Sequence, residues 1–182
     1  MEKAKTKPSV KKIQEAFKKL MNKKSYEKIT VQDVIEEAQI SRSAFYSNFI
    51  DLNHLLEKMQ EEIIDSFFEK NTYRLEEEDI KTRVRYFIDY ANELSEVSER
   101  LLCSGSYYNI CKNIQYSILK YQSDNLRGSY SKNPEVENLA FYFCSHTIVA
   151  LYRHWVLTGK QVSPEILSET IISFLCNGLF EK

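Results

Sequence analysis

The sequence predicts an all-α protein of about nine helices, in which a small three-helix head is fused to a larger helical body. Two observations lead to this fold class. Glycine and proline are scarce, at four and three residues in a chain of 182, so long helices with short connections are favoured over a turn-rich sheet protein. Apolar residues also recur every three or four positions in one segment after another, which is the spacing of a single helix face.

The segment over residues 29–49, ITVQDVIEEAQISRSAFYSNF, predicts two short helices separated by a tight turn. Thr30, followed three residues later by Asp33, forms a start of the capping-box type for the first helix. Ser41 is a favourable N-cap for the second helix. Short helices joined in this way form a helical hairpin, which can lie on the surface of many kinds of protein.

The second helix of this hairpin, over residues 42–48, has the composition of a DNA-recognition helix. It buries Phe45 and Phe49 and leaves small and polar side chains on its outer surface. An arginine can fork onto a guanine edge, a small alanine can contact a thymine methyl group, and the N-cap of a helix suits a phosphate oxygen. Ser47 either reads a base edge or makes no contact. The predicted DNA-binding residues are Thr30, Ser41, Arg42, Ser43, Ala44, Tyr46, Ser47 and Asn48.

The order of residue types in this segment resembles the TetR family of bacterial transcription regulators. The pattern is Thr-Val-x-Asp-Val-Ile-x-x-Ala-x-Ile-Ser-x-x-x-Phe-Tyr-x-x-Phe, and the likeness covers about residues 10–60. The resemblance implies that Tyr46 and Asn48 contact the DNA backbone. The domains that it implies are a helix-turn-helix DNA-binding domain over 1–50, with a flexible basic arm at 1–8, and a helical regulatory and dimerisation domain over 51–182.

Two positions depart from the family pattern. Leu52 stands where the family usually has a lysine that contacts phosphate, and Gln39 replaces the usual glycine of the turn. Loss of one phosphate contact flattens the salt dependence of binding by about one unit of slope. These departures support a second hypothesis, in which the protein acts mainly through a protein partner, as a coactivator or adaptor, and binds DNA weakly by itself.

Charge is distributed unevenly along the chain. Residues 1–28 contain ten lysines and three glutamates, a net charge of +7, although the whole chain has a net charge of −1. A basic N-terminal end and an acidic remainder suit a protein that presents one end to phosphates. A basic tail that is only solvated would have the same composition, so charge alone does not decide between a phosphate-binding end and a solvated tail.

The periodicity predicts the remaining helices in order. Ser9 is the predicted N-cap of the first helix, and Asn133-Pro134 and Ser163-Pro164 are strong helix starts. The predicted helices span 9–22, 51–71, 76–94, 97–103, 107–121, 134–157 and 164–180. Residues 72–78 are predicted to form a connection that leads into the acidic start of helix 76–94. Residues 123–133 are predicted to form a polar loop.

The last two helices are apolar on more than one face, so each needs a partner beyond its own domain. The resemblance implies that they form a four-helix bundle with a second copy, which makes the protein a homodimer through helices 134–157 and 164–180. A two-fold dimer implies a palindromic operator in double-stranded DNA. The stretch HWVLTGKQVSPE over 154–165 also resembles the C-terminal domain of the dihydroxyacetone-kinase-regulator subgroup of the family.

An aromatic-rich body suggests a site for a small apolar or aromatic effector, although such residues are more often plain core. Repression relieved by that effector is the predicted mode of action. We find no nucleophile elbow, glycine-rich phosphate loop or metal-ligand spacing, so neither an enzyme nor a cofactor is expected. The candidate effector residues are Tyr107, Tyr108, Tyr116, Phe141 and Tyr142.

The four cysteines lack paired spacing, which predicts free thiols in a reducing cytoplasm. No apolar run reaches the roughly 18 residues of a membrane span, and no signal peptide is recognisable. A cytoplasmic protein that makes no contact with the membrane is therefore expected.

Overall fold

The computed structural model describes residues 7–77, 79–121 and 131–178, with the side chains of all but 72–77, 107 and 118–121. Within these ranges the protein is all-helical, as predicted, with nine α-helices and one short 3₁₀ turn at Tyr26–Lys28. The helices are α1 (Pro8–Lys23), α2 (Val31–Ala38), α3 (Arg42–Tyr46), α4 (Leu52–Glu77), α5 (Ile80–Asn92), α6 (Glu96–Cys103), α7 (Tyr107–Tyr121), α8 (Pro134–Leu157) and α9 (Pro164–Cys176).

The chain forms two compact units, which divide at Gln60 and Glu61, within α4. We call the first unit the head and the second the body. In the head, α1 packs on α2 and α3, and α2 packs on α3. The head core is mostly apolar, although Gln14 and Gln60 are also buried in it. Its large apolar side chains are those of Ile13, Phe17, Leu20, Met21, Ile29, Val34, Ile35, Phe45, Phe49, Leu55, Leu56 and Met59.

In the body, α8 packs on α6, α7 and α9, and α5 packs on α9. Aromatic rings dominate the core of this unit. Phe67 lies at the centre of one group of rings, with its centroid 5.8 Å from that of Phe87 and 5.2 Å from that of Tyr90. The Trp155 ring is also buried, and its indole N–H donates to the carbonyl of Val162 at 2.8 Å.

Several predicted helix ends were wrong. Helix α1 begins at Pro8 rather than after a Ser9 cap, because proline fits the first turn of a helix, where no N–H partner is needed. The stretch 72–77, predicted as a connection, continues α4, since it contains no glycine or proline to end the helix. Helix α5 spans Ile80–Asn92 rather than 76–94, because the Asp79 side chain caps its start. Helix α9 ends at Cys176, because Gly178 adopts a left-handed conformation with φ of 82°.

The predicted helix over 42–48 ends at Tyr46. Local side-chain bonds explain this early end, because the Ser47 hydroxyl donates to the carbonyl of Ser43 at 2.7 Å and the Asn48 amide donates to that of Ala44 at 2.7 Å. Such bonds compete with continuation of the helix. Residues 1–6 of the predicted arm and 123–130 of the predicted loop lie outside the described residues.

All four cysteines are free thiols. Cys103 and Cys111 are buried in the body, and burial raises the pKa of each thiol to about 11. Cys176, at the end of α9, is exposed. No described helix combines the length and the apolar character needed to cross a bilayer, and the described residues do not bring together three or more potential metal ligands.

Candidate nucleic-acid interface

The capping box at the start of α2 fixes the first helix of the hairpin. The Thr30 hydroxyl accepts from the N–H of Asp33 at 3.2 Å, and the Asp33 carboxylate accepts from the N–H of Thr30 at 2.7 Å. The ammonium of Lys24 lies 2.8 Å from the same carboxylate. The hydrogen bond from Lys24, followed by those from Thr30, lowers the pKa of Asp33 to about 2. Thr30 therefore serves as a helix cap whose own donors and acceptors are already engaged.

The turn between α2 and α3 is built on a left-handed residue. Gln39 has φ of 53°, the conformation for which the family uses glycine. The N–H of Gln39 donates to the carbonyl of Glu36, and the N–H of Ile40 donates to that of Ile35, both at 3.2 Å. The hairpin thus keeps its tight turn without glycine.

Helix α3 is short and is anchored by aromatic residues. The Ser41 hydroxyl caps it by accepting from the N–H of Ala44 at 3.1 Å. Phe45 is fully buried and Phe49 nearly so. This anchoring leaves an outer surface of polar and aromatic side chains, with Ala44 half-buried at its edge. The exposed residues are Ser41, Arg42, Ser43, Tyr46 and Ser47.

The arginine of this surface is tied to α2. Its Nη2 donates to the side-chain carbonyl of Gln32 at 2.9 Å, and the amide nitrogen of Gln32 donates to the carboxylate of Glu36 at 2.7 Å. Arg42, Gln32 and Glu36 are all exposed. The sequence pattern predicted Arg42 as a DNA-binding residue but gave no sign of its bond to Gln32. That bond joins two helices across the turn, so helical spacing does not reveal it.

Asn48, predicted to contact the DNA backbone, faces inward in part. Its amide nitrogen donates to the Ala44 carbonyl at 2.7 Å and to the Ser9 hydroxyl at 3.3 Å, and its side chain is half-buried. These two bonds use both amide hydrogens. Asn48 therefore ties the end of α3 to the start of α1, a contact between positions 39 residues apart that no local pattern reveals.

The lysines of α1 differ in how far nearby carboxylates neutralise their charge. Lys19 and Lys23 lie 3.5 and 3.2 Å from the carboxylate of Glu37, so part of the positive charge is neutralised on α2. Lys11 and Lys12, on α1, are exposed. The latter pair leaves positive charge near the start of α1, the region that Asn48 connects to α3.

The segment after α3, over residues 47–54, carries no lysine or arginine. Ile50 is 75% exposed, and Leu52 is half-buried where the family has its lysine. The Asp51 carboxylate accepts from the N–H of His54 at 2.8 Å, and the N–H of Ile50 donates to the His54 ring at 3.1 Å. This segment is thus ordered by its own bonds and presents an apolar and an acidic side chain to solvent.

The candidate effector residues in the body lie mostly at the surface. Tyr108 and Tyr116 on α7 are 55% and 61% exposed, and Tyr142 on α8 is 45% exposed. The Tyr142 ring stacks on His146 with centroids 3.7 Å apart. Phe141 is half-buried, and the side chain of Tyr107 lies outside the described residues. A shallow cleft of about 390 Å³ lies elsewhere, on α9, and is lined by Glu165, Ile166, Glu169, Thr170 and Ser173.

Large apolar side chains are exposed along α8 and at the start of α9. Leu139, Phe143 and Leu157 on α8 are 69%, 57% and 68% exposed, and Ile166 on α9 is 55% exposed. Val136, Phe143, Ala150 and Leu157 recur every seven residues, so they form one stripe along the helix. This stripe is an apolar surface of the kind that marks an interaction site.

Residues 13–59 match the family model described as "Bacterial regulatory proteins, tetR family". The match contains α2, α3 and the whole predicted DNA-binding set. No curated protein sequence matches the chain. The resemblance of the head to the TetR family is therefore confirmed.

The described fold is also similar to solved structures of regulators. The fatty acid degradation regulator FadR from Bacillus halodurans has a TM-score of 0.63 at 16% identity, with 98% of this chain and all of that chain covered. A TetR transcriptional regulator from Streptococcus agalactiae 2603V has a TM-score of 0.63 at 22% identity, covering 92% and 93%. The dihydroxyacetone kinase operon activator DhaS has a TM-score of 0.52 at 19% identity, covering 96% and 99%. At these identities the likeness is one of fold.

Proposed function

Because residues 13–59 match the TetR-family model, we propose that this protein is a transcription regulator that binds palindromic DNA as a homodimer and represses transcription until a small effector releases it. The observation that carries the proposal is the outer surface of α3. Arg42, Ser43, Tyr46 and Ser47 are exposed there, while Phe45 is fully buried beneath them. A short helix held by its aromatic residues can enter a major groove with its polar side chains toward the bases.

The side chains of α3 divide by the chemistry that they offer to DNA. Arg42 can donate two N–H groups to guanine O6 and N7, which is the commonest specific contact to a base. Ser43 and Ala44 are small enough to let the helix approach the base edges closely. The exposed Tyr46 hydroxyl suits a phosphate oxygen, which positions the head but carries no sequence information. Lys11 and Lys12 supply positive charge for the backbone.

The exposed apolar stripe on α8, together with Ile166 on α9, supports pairing with a second copy. A surface that pairs with itself across a two-fold axis must be self-complementary, and an apolar stripe meets that condition without charge repulsion. The paired heads would then lie in successive major grooves, about one helical turn of DNA apart. The dimerisation surface of this proposal is formed by residues 134–157 and 164–176.

Effector control completes the proposal. A small apolar or aromatic molecule would bind the body near α7 and α8, which pack on each other and carry Tyr107, Tyr108, Tyr116, Phe141 and Tyr142. Its binding would lower DNA affinity only if it favours a spacing of the heads that the operator does not fit. The aromatic side chains on these helices support that choice of ligand class.

The proposal is tested by fluorescence anisotropy with DNA from around the protein's own gene. We expect tight binding that survives an excess of random competitor DNA and weakens steeply between two salt concentrations. Arg42→Ala and Tyr46→Ala, combined in one variant, should abolish it, while circular dichroism shows an unchanged fold. Asn22→Ala, on the exposed part of α1, is the matched control. Binding no tighter than to random DNA would contradict a repressor of its own gene.

The segment after α3 favours a second candidate function, an adaptor that acts through a protein partner. Ile50 is largely exposed, Asp51 is acidic and Leu52 replaces the phosphate-binding lysine. Leu52→Lys separates the two functions. On a DNA-binding head it should strengthen binding and steepen the salt dependence by about one unit of slope. On an adaptor it should leave DNA binding weak, and Arg42→Ala should leave capture of the partner unchanged.

A further inference from the structure

Three exposed side chains form a continuous hydrogen-bonded chain from α3 to α2. Arg42 Nη2 donates to Gln32 Oε1 at 2.9 Å, and Gln32 Nε2 donates to Glu36 Oε1 at 2.7 Å. A guanidinium only donates and a carboxylate only accepts, so the amide between them is satisfied in one orientation alone. Gln32 and Glu36 are one helical turn apart, which is the spacing at which side chains on a helix surface meet.

We propose that Gln32 is a positioning residue that holds Arg42 extended for reading one guanine in each half-site, and that Glu36 fixes Gln32 in turn. The inference rests on the proposed DNA-binding function and adds to it a residue that determines specificity. Arginine has five N–H donors, and the bond to Gln32 uses one of them, so four remain, of which guanine O6 and N7 need two.

The physical advantage lies in the cost of ordering a long side chain. An exposed arginine loses rotamer freedom when it binds a base, and that loss weakens binding. An arginine already held by Gln32 has lost part of this freedom before it meets DNA. The resulting gain in affinity applies only to the base pair that Arg42 reads, because, among the described residues, Gln32 hydrogen-bonds to no other side chain of the α3 surface that would meet DNA.

The chain of bonds is not needed to hold the two helices together. Val34 and Phe45, both fully buried, already pack α2 and α3 into the head core. Gln32 and Glu36 are exposed, and removal of an exposed polar side chain changes stability by only about 0.5 kcal/mol. A variant at Gln32 should therefore fold and still bind DNA.

The experiment is selection from a library of duplexes with about 20 random base pairs, enough for two half-sites, followed by sequencing. It uses the full-length protein, Arg42→Ala, Gln32→Ala, and the exchange Gln32→Glu with Glu36→Gln. The unchanged protein should select a palindrome with a guanine in each half-site, and Arg42→Ala should lose that preference alone. Gln32→Ala should reduce the preference for that guanine by about threefold to tenfold and leave the other positions unchanged.

The exchange variant tests whether Gln32 acts by positioning Arg42 or only by supporting the fold. With Glu at position 32 and Gln at position 36, the carboxylate accepts from both Arg42 and the new amide, so the chain of bonds and the net charge are kept. The guanine preference should return to within about twofold of the unchanged protein, because the ordering cost is again met before binding.

Three results would overturn the inference. In the first, Gln32→Ala weakens binding to all sequences equally. In the second, Gln32→Ala alters a base pair other than the one that Arg42→Ala affects. In the third, the exchange fails to restore the preference. A library from which the unchanged protein selects no motif would overturn the proposed function itself, and this inference with it.

Discussion

The head and the body both combine local side-chain bonds with bonds between distant positions, such as the bond from Asn48 to Ser9 across 39 residues of the head, but the distant bonds span more of the chain in the body. In the head, many polar side chains find partners three or four residues away, as Thr30 does with Asp33 and Ser41 with Ala44. In the body, the Arg85 guanidinium pairs with Glu169, 84 positions along the chain. Local bonds fix a surface independently of the rest of the chain, so the head can present a fixed surface to DNA even when the body changes.

The two units also differ in what they expose. The outer surface of α3 is mostly polar, whereas that of α8 contains the apolar side chains of Leu139 and Phe143, each more than half exposed. Polar groups can distinguish one base edge from another, and the burial of apolar surface drives association with another protein. The difference indicates that the chain separates recognition from pairing, and the following predictions test that separation.

The largest expected effect is that of emptying the head core. Phe45 is fully buried, and Phe45→Ala should cost the head about 3–5 kcal/mol. Ile88→Ala, at a fully buried position in the body, should cost about 2–5 kcal/mol. Hydrogen exchange measured by segment should show protection lost over 13–49 in the first variant and over 84–111 in the second. Equal loss in both segments would contradict the independence of the two units.

The second prediction concerns the apolar stripe of the body. Leu139→Glu places a charge beside that stripe, at a residue one helical turn from Val136 and Phe143 that is 69% exposed, so the fold should survive. Burial of an unpaired carboxylate in an interface should raise the dimer dissociation constant by roughly 30-fold or more. Tyr108→Glu, at an exposed position on α7, is the matched control and should leave the dimer intact. Sedimentation analysis measures both, and a dimer unaffected by Leu139→Glu would place the interface elsewhere.

Local signals predicted much of the head and most of the helix starts of the body, although α5 begins at Ile80 rather than at 76. Asn133-Pro134 and Ser163-Pro164 began helices as expected, because their caps act within a few residues. The continuation of α4 through 72–77 was missed, since acidic and polar residues suit both a connection and an exposed helix. A helix ends where local hydrogen bonds become less favourable than bonds to water, and the free-energy difference is small. The spacing of apolar residues does not report that difference.

The candidate interface was predicted as a set of residues but not as a set of bonds. The exposure of Arg42 and the burial of Phe45 follow from helical spacing. The bond from Arg42 to Gln32 depends on the angle of the turn at Gln39, and that from Asn48 to Ser9 joins the two ends of the head. Interactions of this kind need three-dimensional placement, which composition and spacing do not supply.

The third prediction is a pH dependence located in the head. The pKa of Asp33 is lowered from 3.8 to about 2 in the folded protein, chiefly by Lys24. A lowered pKa stabilises the fold above about pH 4, and this contribution disappears as the pH falls toward 2. Asp33→Asn should therefore destabilise the head at neutral pH, by about 1 kcal/mol or less, because solvent reaches this partly exposed carboxylate and screens its ion pair.

Urea denaturation followed at several pH values measures this effect. The stability difference between Asp33→Asn and the unchanged protein should be constant above about pH 4 and should shrink between pH 4 and pH 2. Glu165→Gln, which lies on α9 in the body, is a control that should leave the head transition unchanged. A difference that stays the same down to pH 2 would show that the Asp33 charge contributes nothing to the capping box.

The smallest expected effect compares the same backbone conformation in the two units. Gln39 in the head and Lys160 in the body have φ of 53° and 54°, a region that costs a side-chain-bearing residue about 1 kcal/mol. Gln39→Gly should stabilise the head by about 0.5 kcal/mol, because it removes the backbone strain. The gain is smaller than the strain itself, since glycine also has more conformational freedom in the unfolded chain.

Lys160→Gly should give no such gain, because this side chain has partners that glycine would remove. The Lys160 ammonium pairs with Glu99 and lies 5.1 Å from the centroid of the Trp155 ring. An ammonium over an aromatic face contributes about 0.5–1 kcal/mol at an exposed site, as much as the strain that glycine relieves. Urea denaturation of both variants measures the contrast. An equal gain in both would mean that the contacts of Lys160 add nothing, and that the two units tolerate left-handed residues for the same local reason.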